Sequence, residues 1–61
     1  MTREWFEKMG QEYYDGDFKK VMDYCESWGL LSEVIEWTHK FHSKGYDFIK
    51  SVSYAMTEWD L

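Results

Sequence analysis

The 61-residue sequence has no proline and a single cysteine, Cys25, and these absences limit what it can build. One cysteine cannot form an intrachain disulfide, so the chain folds without a disulfide framework and fits a reducing, cytoplasmic compartment. No apolar run approaches the ~20 residues of a membrane-spanning helix or the core of a secretory signal. The sequence begins with Met1 and shows no tag, so we expect a complete small protein with one domain over residues 1–61.

Basic residues are also scarce. Seven Lys and Arg stand against twelve Asp and Glu, and the formal net charge is −5. Phosphate backbones and anionic lipids repel such a chain, so we expect neither direct nucleic-acid binding nor membrane binding. Aromatic residues, in contrast, make up 21% of the sequence. Because each ring can bury a large apolar area, they allow a dense core in a short chain.

Glycines divide the sequence into four segments. Gly16, Gly29 and Gly45 each follow apolar residues at helical spacing, where a C-cap glycine is typical. Plausible N-caps are Thr2, Asp17, Ser32 and Asp47. The pattern predicts an all-α fold of four short helices in two helix-turn-helix hairpins, at about 3–14, 18–28, 33–44 and 48–59. Gly10 lies inside the first helix, which predicts a close helix crossing there.

Each predicted helix has one apolar stripe, which is expected to form the core. The stripes are Trp5, Phe6, Met9 and Tyr13; Phe18, Val21, Met22, Cys25 and Trp28; Leu31, Val34, Ile35, Thr38, Phe41 and His42; and Phe48, Ile49, Val52, Ala55, Met56 and Trp59. Five other aromatic residues lie off these stripes or at their edges: Tyr14, Tyr24, Trp37, Tyr46 and Tyr54.

The two halves of the sequence echo each other, since Lys20 and Tyr24 correspond to Lys50 and Tyr54. The residues that carry a family resemblance are Phe6, Met9-Gly10, Tyr13, Gly16-Asp17-Phe18 and Val21, and more faintly Val34, Trp37-Thr38, Phe41 and Gly45. Their order resembles the tetratricopeptide repeat, although its small alanines are replaced by Val21 and Trp28 and its terminal proline is missing. The resemblance implies paired antiparallel helices with a peptide- or protein-binding groove. It also implies a need for a partner, because such arrays usually need about three repeats.

Two sets of residues could carry chemistry. Glu36, His39 and His42 follow each other at intervals of three, and Glu-x-x-His is the unit of di-metal helical bundles. A symmetric dimer would have to supply a second unit, so we expect instead that His42 flanks the core and His39 faces solvent. Cys25 is expected to be a buried, inert thiol. No catalytic motif is present, and we predict a protein without enzymatic activity or cofactor.

The acids are unevenly distributed. Between Val21 and His39 the sequence contains four acids and no base. Two of these acids lie near the C-terminal end of the second predicted helix, where the helix dipole disfavours negative charge. Acids and aromatic residues together predict a partner-binding surface, because Tyr and Trp anchor many interfaces. The candidate residues are Asp23, Tyr24, Glu26, Glu33, Glu36 and Trp37.

Three functions fit these observations. The leading hypothesis is a small acidic interaction module or regulator that binds a larger protein with a basic surface. The second is an acidic inhibitor that mimics nucleic acid and occupies the site of a DNA- or RNA-handling enzyme; small acidic proteins of this kind look like those that phages encode. The third is a homodimeric helical bundle, either structural or metal-binding.

Overall fold

Residues 3–61, which a computed structural model describes, form four α-helices joined by short turns. The helices are α1 (Arg3–Tyr13), α2 (Phe18–Ser27), α3 (Leu31–Ser43) and α4 (Phe48–Glu58). No strand occurs in this range, so the predicted all-α fold class and the four helices are confirmed. The helices are 10 to 13 residues long, and within residues 3–61 none has the length and hydrophobicity to cross a bilayer.

Two helices begin at the aspartates that the sequence indicates. Asp17 Oδ1 accepts a hydrogen bond from the backbone N–H of Lys19 at 3.1 Å. Asp47 Oδ1 accepts one from the backbone N–H of Lys50 at 2.8 Å. Each carboxylate satisfies an N–H group that has no partner within its own helix, which is the function of an N-cap. The beginnings of α2 and α4 are therefore fixed by local sequence.

The start of α3 differs from the prediction. Ser32 lies inside the helix rather than at its N-cap, because α3 begins at Leu31. The N-cap is Leu30, whose side chain makes no capping hydrogen bond. The chain passes from α2 to α3 through a very short turn, and the backbone N–H of Leu30 already donates to the Cys25 carbonyl at 3.0 Å. Thr2, the predicted cap of the first helix, lies outside the described residues.

The core is centred on three phenylalanines from three helices. Ring centroids are 5.0 Å apart for Phe6 and Phe18, 5.7 Å for Phe6 and Phe48, and 5.9 Å for Phe18 and Phe48. Tilted rings at such separations attract each other in addition to the area that they bury. The buried apolar residues are Phe6, Phe18, Met22, Cys25, Leu31, Val34, Ile35, Phe48, Val52 and Ala55. All of them belong to the predicted stripes.

Gly10 marks a close approach between α1 and α2, as predicted. It is buried, and a Cβ atom at this position would overlap the ring of Phe18. The first helix contributes little else to the interior, since Phe6 and Gly10 are its two buried residues. The absent side chain of Gly10 therefore makes room for a central ring of the core.

Trp28 and Trp59 were expected in the core, and this prediction is wrong. Trp28 is 63% exposed and Trp59 is 38% exposed. Both are C-caps, of α2 and α4 respectively, and both helices end in a Schellman turn. In this turn the chain reverses, and the leucine two residues later turns inward; Leu30 and Leu61 are both partly buried. The apolar spacing continues to each tryptophan, but the helix does not.

Tyr13 is a further correction. It belongs to the predicted stripe of α1 but is 57% exposed. The helix ends at this residue, and its ring borders an open depression beside Asp47 and Phe48. The end of α1 therefore lies next to the start of α4.

The bundle has two ends of different composition. At the Gly29 end, Arg3 at the start of α1 pairs with Glu26 at the end of α2, with Nη1 and Oε2 2.9 Å apart. The α2–α3 turn and the C-terminus of α4 lie at this end as well, because α4 runs antiparallel to α3. The Gly45 end holds the α1–α2 and α3–α4 turns.

Candidate partner-binding surface

The six predicted site residues do not form one surface. Asp23, Tyr24, Glu26 and Glu36 are exposed, while Glu33 and Trp37 are half-buried. They divide into three environments: an acidic region at the Gly29 end, a groove between α2 and α4, and an aromatic cluster on α3 and α4.

The acidic region collects residues that are distant in sequence. Its members are Asp23, Glu26, Glu33, Glu36, Glu58 and Asp60, all from segments that meet at or near the Gly29 end. Arg3 lies beside them, paired with Glu26 and lining the same depression as Glu36. Both side chains of the Arg3–Glu26 pair are more than half exposed, so water and salt screen this contact strongly.

Lysines concentrate towards the other end: Lys19, Lys20, Lys40, Lys44 and Lys50. That end also carries Glu12, Asp15, Asp17 and Asp47, so it is close to neutral, whereas the Gly29 end is acidic.

Trp28 lies at the same end of the molecule as this acidic region. Of the large apolar side chains among residues 3–61 it is the most exposed. It follows Glu26 by two residues and precedes the Gly29 turn, where the φ angle of +68° favours glycine. Sequence reasoning missed Trp28 as a surface residue, although its position directly before a C-cap glycine could have indicated it.

Tyr24 belongs to a groove between α2 and α4. Within residues 3–61 the backbones of these two helices do not approach each other closely, although the rings of Phe18 and Phe48 meet in the core, and the space between the helices measures about 360 Å³. Tyr14 and Tyr24 border the groove, and Lys20 lies at its rim. The remaining lining is mainly apolar: Val21, Ile49, Val52, Ser53 and Met56. We refer to it as the α2–α4 groove.

Trp37 packs into an aromatic cluster on the outer side of α3 and α4. Ring centroids are 6.0 Å apart for Trp37 and Phe41, 5.4 Å for Phe41 and Tyr54, and 5.2 Å for Tyr46 and Tyr54. Lys40 Nζ lies 4.8 Å from the centre of the Trp37 ring, a cation–π distance. Trp37 is thus partly covered by its own neighbours, and Tyr46 and Tyr54 are the exposed members of the cluster.

The two histidines considered for metal binding, His39 and His42, both contact the ring of Trp5. His39 meets Trp5 edge-on at 5.6 Å between ring centroids and is half-buried rather than solvent-facing. His42 flanks the core, as expected, and its Nδ1–H donates to the carbonyl of Tyr46 at 2.9 Å. Within residues 3–61 no three His, Cys, Asp or Glu side chains are grouped closely enough to hold a metal ion.

Cys25 is fully buried, as predicted. Burial raises the pKa of its thiol, because the thiolate loses its hydration in the core, and a hydrogen bond with backbone acts weakly in the opposite direction. The reactive thiolate is therefore disfavoured at neutral pH.

Comparisons with family models, with curated proteins and with solved structures found no match.

Proposed function

We propose that the chain is a small interaction module that binds a basic surface of a larger protein through its Gly29 end. The observation that carries this proposal is the 63% exposure of Trp28 within an acidic region. Tryptophan is enriched among the residues that dominate binding energy, and such residues typically have a polar rim around them. Burial of Trp28 by a partner would remove from solvent the most exposed large apolar side chain among residues 3–61. The free Cys25 suits a cytoplasmic location for this binding.

The acids have a separate role in this proposal. Charges at the rim of an interface mainly raise the association rate and restrict the choice of partner. Among the described residues 3–61, Asp23, Glu33 and Glu58 form no ion pair, so their carboxylates are available to a basic partner. A basic partner would supply the missing opposite charge. The proposal assigns no catalytic step and no cofactor to the chain.

The anchor in this proposal is Trp28 rather than Trp37. Trp37 already contacts Phe41 and lies beneath the amine of Lys40, so less of its surface is available. Glu26 and Glu36 remain part of the proposed rim, and Tyr24 borders it from the groove. The tetratricopeptide resemblance stays a prediction; it would add a peptide-binding groove to the same hairpins.

A pull-down from cells with immobilised protein tests the proposal, with captured proteins identified by mass spectrometry. We expect a captured protein that is lost with Trp28→Ala and with the double charge reversal Glu26→Lys/Glu33→Lys. Tyr46→Ala is the matched control, because it removes an exposed ring from the other end and should retain the partner. Circular dichroism verifies that each variant stays helical. If Trp28→Ala captures the same proteins as the wild type, Trp28 is not the anchor.

The concentration of acids at the Gly29 end also favours a second candidate, an inhibitor that mimics nucleic acid. A nucleic-acid-binding enzyme presents a basic site of the kind that the Gly29 end would complement. In this case the captured partner would bind DNA or RNA, and duplex DNA would displace the protein from it. Binding should also weaken steeply as salt increases. Binding that duplex DNA does not displace would exclude the mimic while leaving the interaction module intact.

A further inference from the structure

A depression at the Gly45 end lies where the end of α1 meets the start of α4. Its lining combines apolar side chains with a few polar groups: Met9, Tyr13, His42, Asp47, Phe48 and Ile49. We refer to it as the Tyr13 pocket. Its volume of about 460 Å³ lies in the range of pockets that hold small molecules. Because it lies at the opposite end of the bundle from Trp28, a ligand could occupy it independently of the proposed partner.

The polar groups of the Tyr13 pocket include two hydrogen-bond acceptors. Asp47 Oδ1 accepts from the backbone N–H of Lys50 at 2.8 Å, and within residues 3–61 Oδ2 takes part in no hydrogen bond or ion pair. The His42 Nδ1–H donates to the Tyr46 carbonyl at 2.9 Å, so in the neutral imidazole Nε2 carries a lone pair. The Tyr13 hydroxyl can donate or accept. A cation that donates hydrogen bonds is therefore the ligand that these groups complement.

The charges around the Tyr13 pocket also favour a cation. Neither lysine nor arginine is among the described residues that line it, whereas Lys20 lines the α2–α4 groove. Tyr13 is the last residue of α1 and His42 lies in the last turn of α3, so two helices end here. Helix C-termini attract positive charge. The start of α4 acts in the opposite direction, but the Asp47 carboxylate at its N-cap compensates for it.

The apolar side chains of the Tyr13 pocket suit an aromatic ring. Phe48 belongs to the core, and Met9 and Ile49 are half-buried beside it. The thioether of a methionine packs favourably against aromatic rings. Tyr13, at 57% exposure, adds a ring whose face can attract a cation. The pocket thus combines an apolar floor with an anionic and aromatic rim.

We propose that the Tyr13 pocket binds a small arylalkyl ammonium ion, with phenethylammonium as the simplest example. Its ring would pack on Met9, Phe48 and Ile49, and its ammonium group would donate to Asp47 and His42. The net charge of −5 adds a general attraction for cations. Since the pocket is open to solvent and the ligand is small, the dissociation constant should be on the order of 1 mM. This site does not rest on the proposed partner binding at the Gly29 end.

A titration of the full chain with phenethylammonium chloride, followed by two-dimensional ¹H–¹⁵N NMR spectra, tests the site. We expect saturable shifts of the amide signals of Tyr13, Phe48 and Ile49. The matched ligand is 2-phenylethanol, which keeps the ring and the chain but has a hydroxyl in place of the ammonium group. It should bind at least about fivefold more weakly, because it lacks the charge. Equal binding of the two compounds would overturn the proposed cation site.

Two substitutions test the residues of the Tyr13 pocket. Asp47→Asn removes the charge while asparagine still caps α4, and Tyr13→Ala removes an exposed ring. Each should weaken binding about three- to tenfold. Tyr24→Ala is the matched control, because it removes an exposed tyrosine from the α2–α4 groove and should leave the affinity unchanged. The same spectra verify that each variant is folded.

Three results would contradict the proposal. The first is a wild type that shows no saturable shifts. The second is wild-type affinity in both Asp47→Asn and Tyr13→Ala. The third is a set of shifts confined to the α2–α4 groove, around Tyr24 and Met56, together with a loss of binding in Tyr24→Ala. That result would place the ligand in the groove instead of the Tyr13 pocket.

Discussion

Gly10 shows how one absent side chain determines the packing of α1 on α2. In an exposed helix, alanine is about 1 kcal/mol more favourable than glycine. At this position the space that a Cβ would need is occupied by the ring of Phe18, which itself contacts Phe6 and Phe48. A shift of Phe18 would therefore disturb the centre of the core. The steric effect and the helix propensity act in opposite directions.

We predict that Gly10→Ala destabilises the protein. Overpacking of a filled core costs about 1–3 kcal/mol, and this loss should exceed the gain in helix propensity. The free energy of unfolding, measured by urea denaturation, should decrease, and the melting temperature should fall by several degrees. The double variant Gly10→Ala/Phe18→Leu is the control, since a smaller side chain at 18 should make the two changes less than additive. A stabilised Gly10→Ala variant would show that the ring relaxes without cost.

The ends of α2 and α4 are the same structural element with different residues in the critical position. Each C-cap is a tryptophan, and each following residue has a positive φ angle: Gly29 at +68° and Asp60 at +58°. The left-handed conformation strains residues that carry a Cβ atom, whereas glycine adopts it freely. The turn after α2 thus has a glycine at the left-handed position, whereas the turn after α4 has an aspartate there.

Substitution of Gly29 by alanine and of Asp60 by glycine should change the free energy of unfolding in opposite directions. Gly29→Ala is expected to lower the free energy of unfolding by about 1 kcal/mol. No atom beyond the two adjacent residues lies within 4 Å of the added Cβ, so this loss reports the local backbone conformation. Asp60→Gly should raise the free energy of unfolding by about 0.5–1 kcal/mol, partly because it removes a negative charge from a helix C-terminus. Asp60→Asn separates the two effects, since it removes the charge and keeps the Cβ. Equal stability of Asp60→Gly and Asp60→Asn would assign the whole effect to charge.

Local signals explain why the helices could be predicted and the spatial arrangement of the candidate site residues could not. Asp17 and Asp47 mark helix starts because capping involves residues only two or three positions apart. Trp28 was misassigned because apolar spacing does not reveal that a Schellman turn reverses the chain. The predicted partner surface joined Tyr24 and Trp37 by their nearness to acids in sequence. The fold separates them, since Tyr24 borders the α2–α4 groove and Trp37 belongs to the α3–α4 cluster.

At the scale of the molecule, the helices are held together unequally. α3 and α4 pack along each other more extensively than any other pair, and small side chains on them are fully buried. Thr38 and Ser51 are hydrogen-bonded to carbonyls of their own helices at 2.7 Å, so their burial leaves no polar atom unsatisfied. α1, in contrast, buries only Phe6 and Gly10 within its described length. The molecule therefore combines a firm α3–α4 hairpin with two helices, α1 and α2, that are packed less extensively.

This inequality predicts the order of local opening. Helices with few buried contacts open at lower free energy than the rest of a domain, and amide hydrogen exchange measures this opening residue by residue. We expect amides in the middle of α1 to exchange at least about tenfold faster than those in the middle of α3 and α4, a difference of about 1.4 kcal/mol in opening free energy. Trp5→Ala should increase this difference in exchange rate, because Trp5 joins α1 to His39, His42 and Phe48. Tyr54→Ala should decrease this difference, because Tyr54 packs on the outer side of the α3–α4 hairpin. Uniform exchange across all four helices would mean that the bundle opens only as a whole, and that the Phe6, Phe18 and Phe48 rings couple α1 to the hairpin more strongly than its burial indicates.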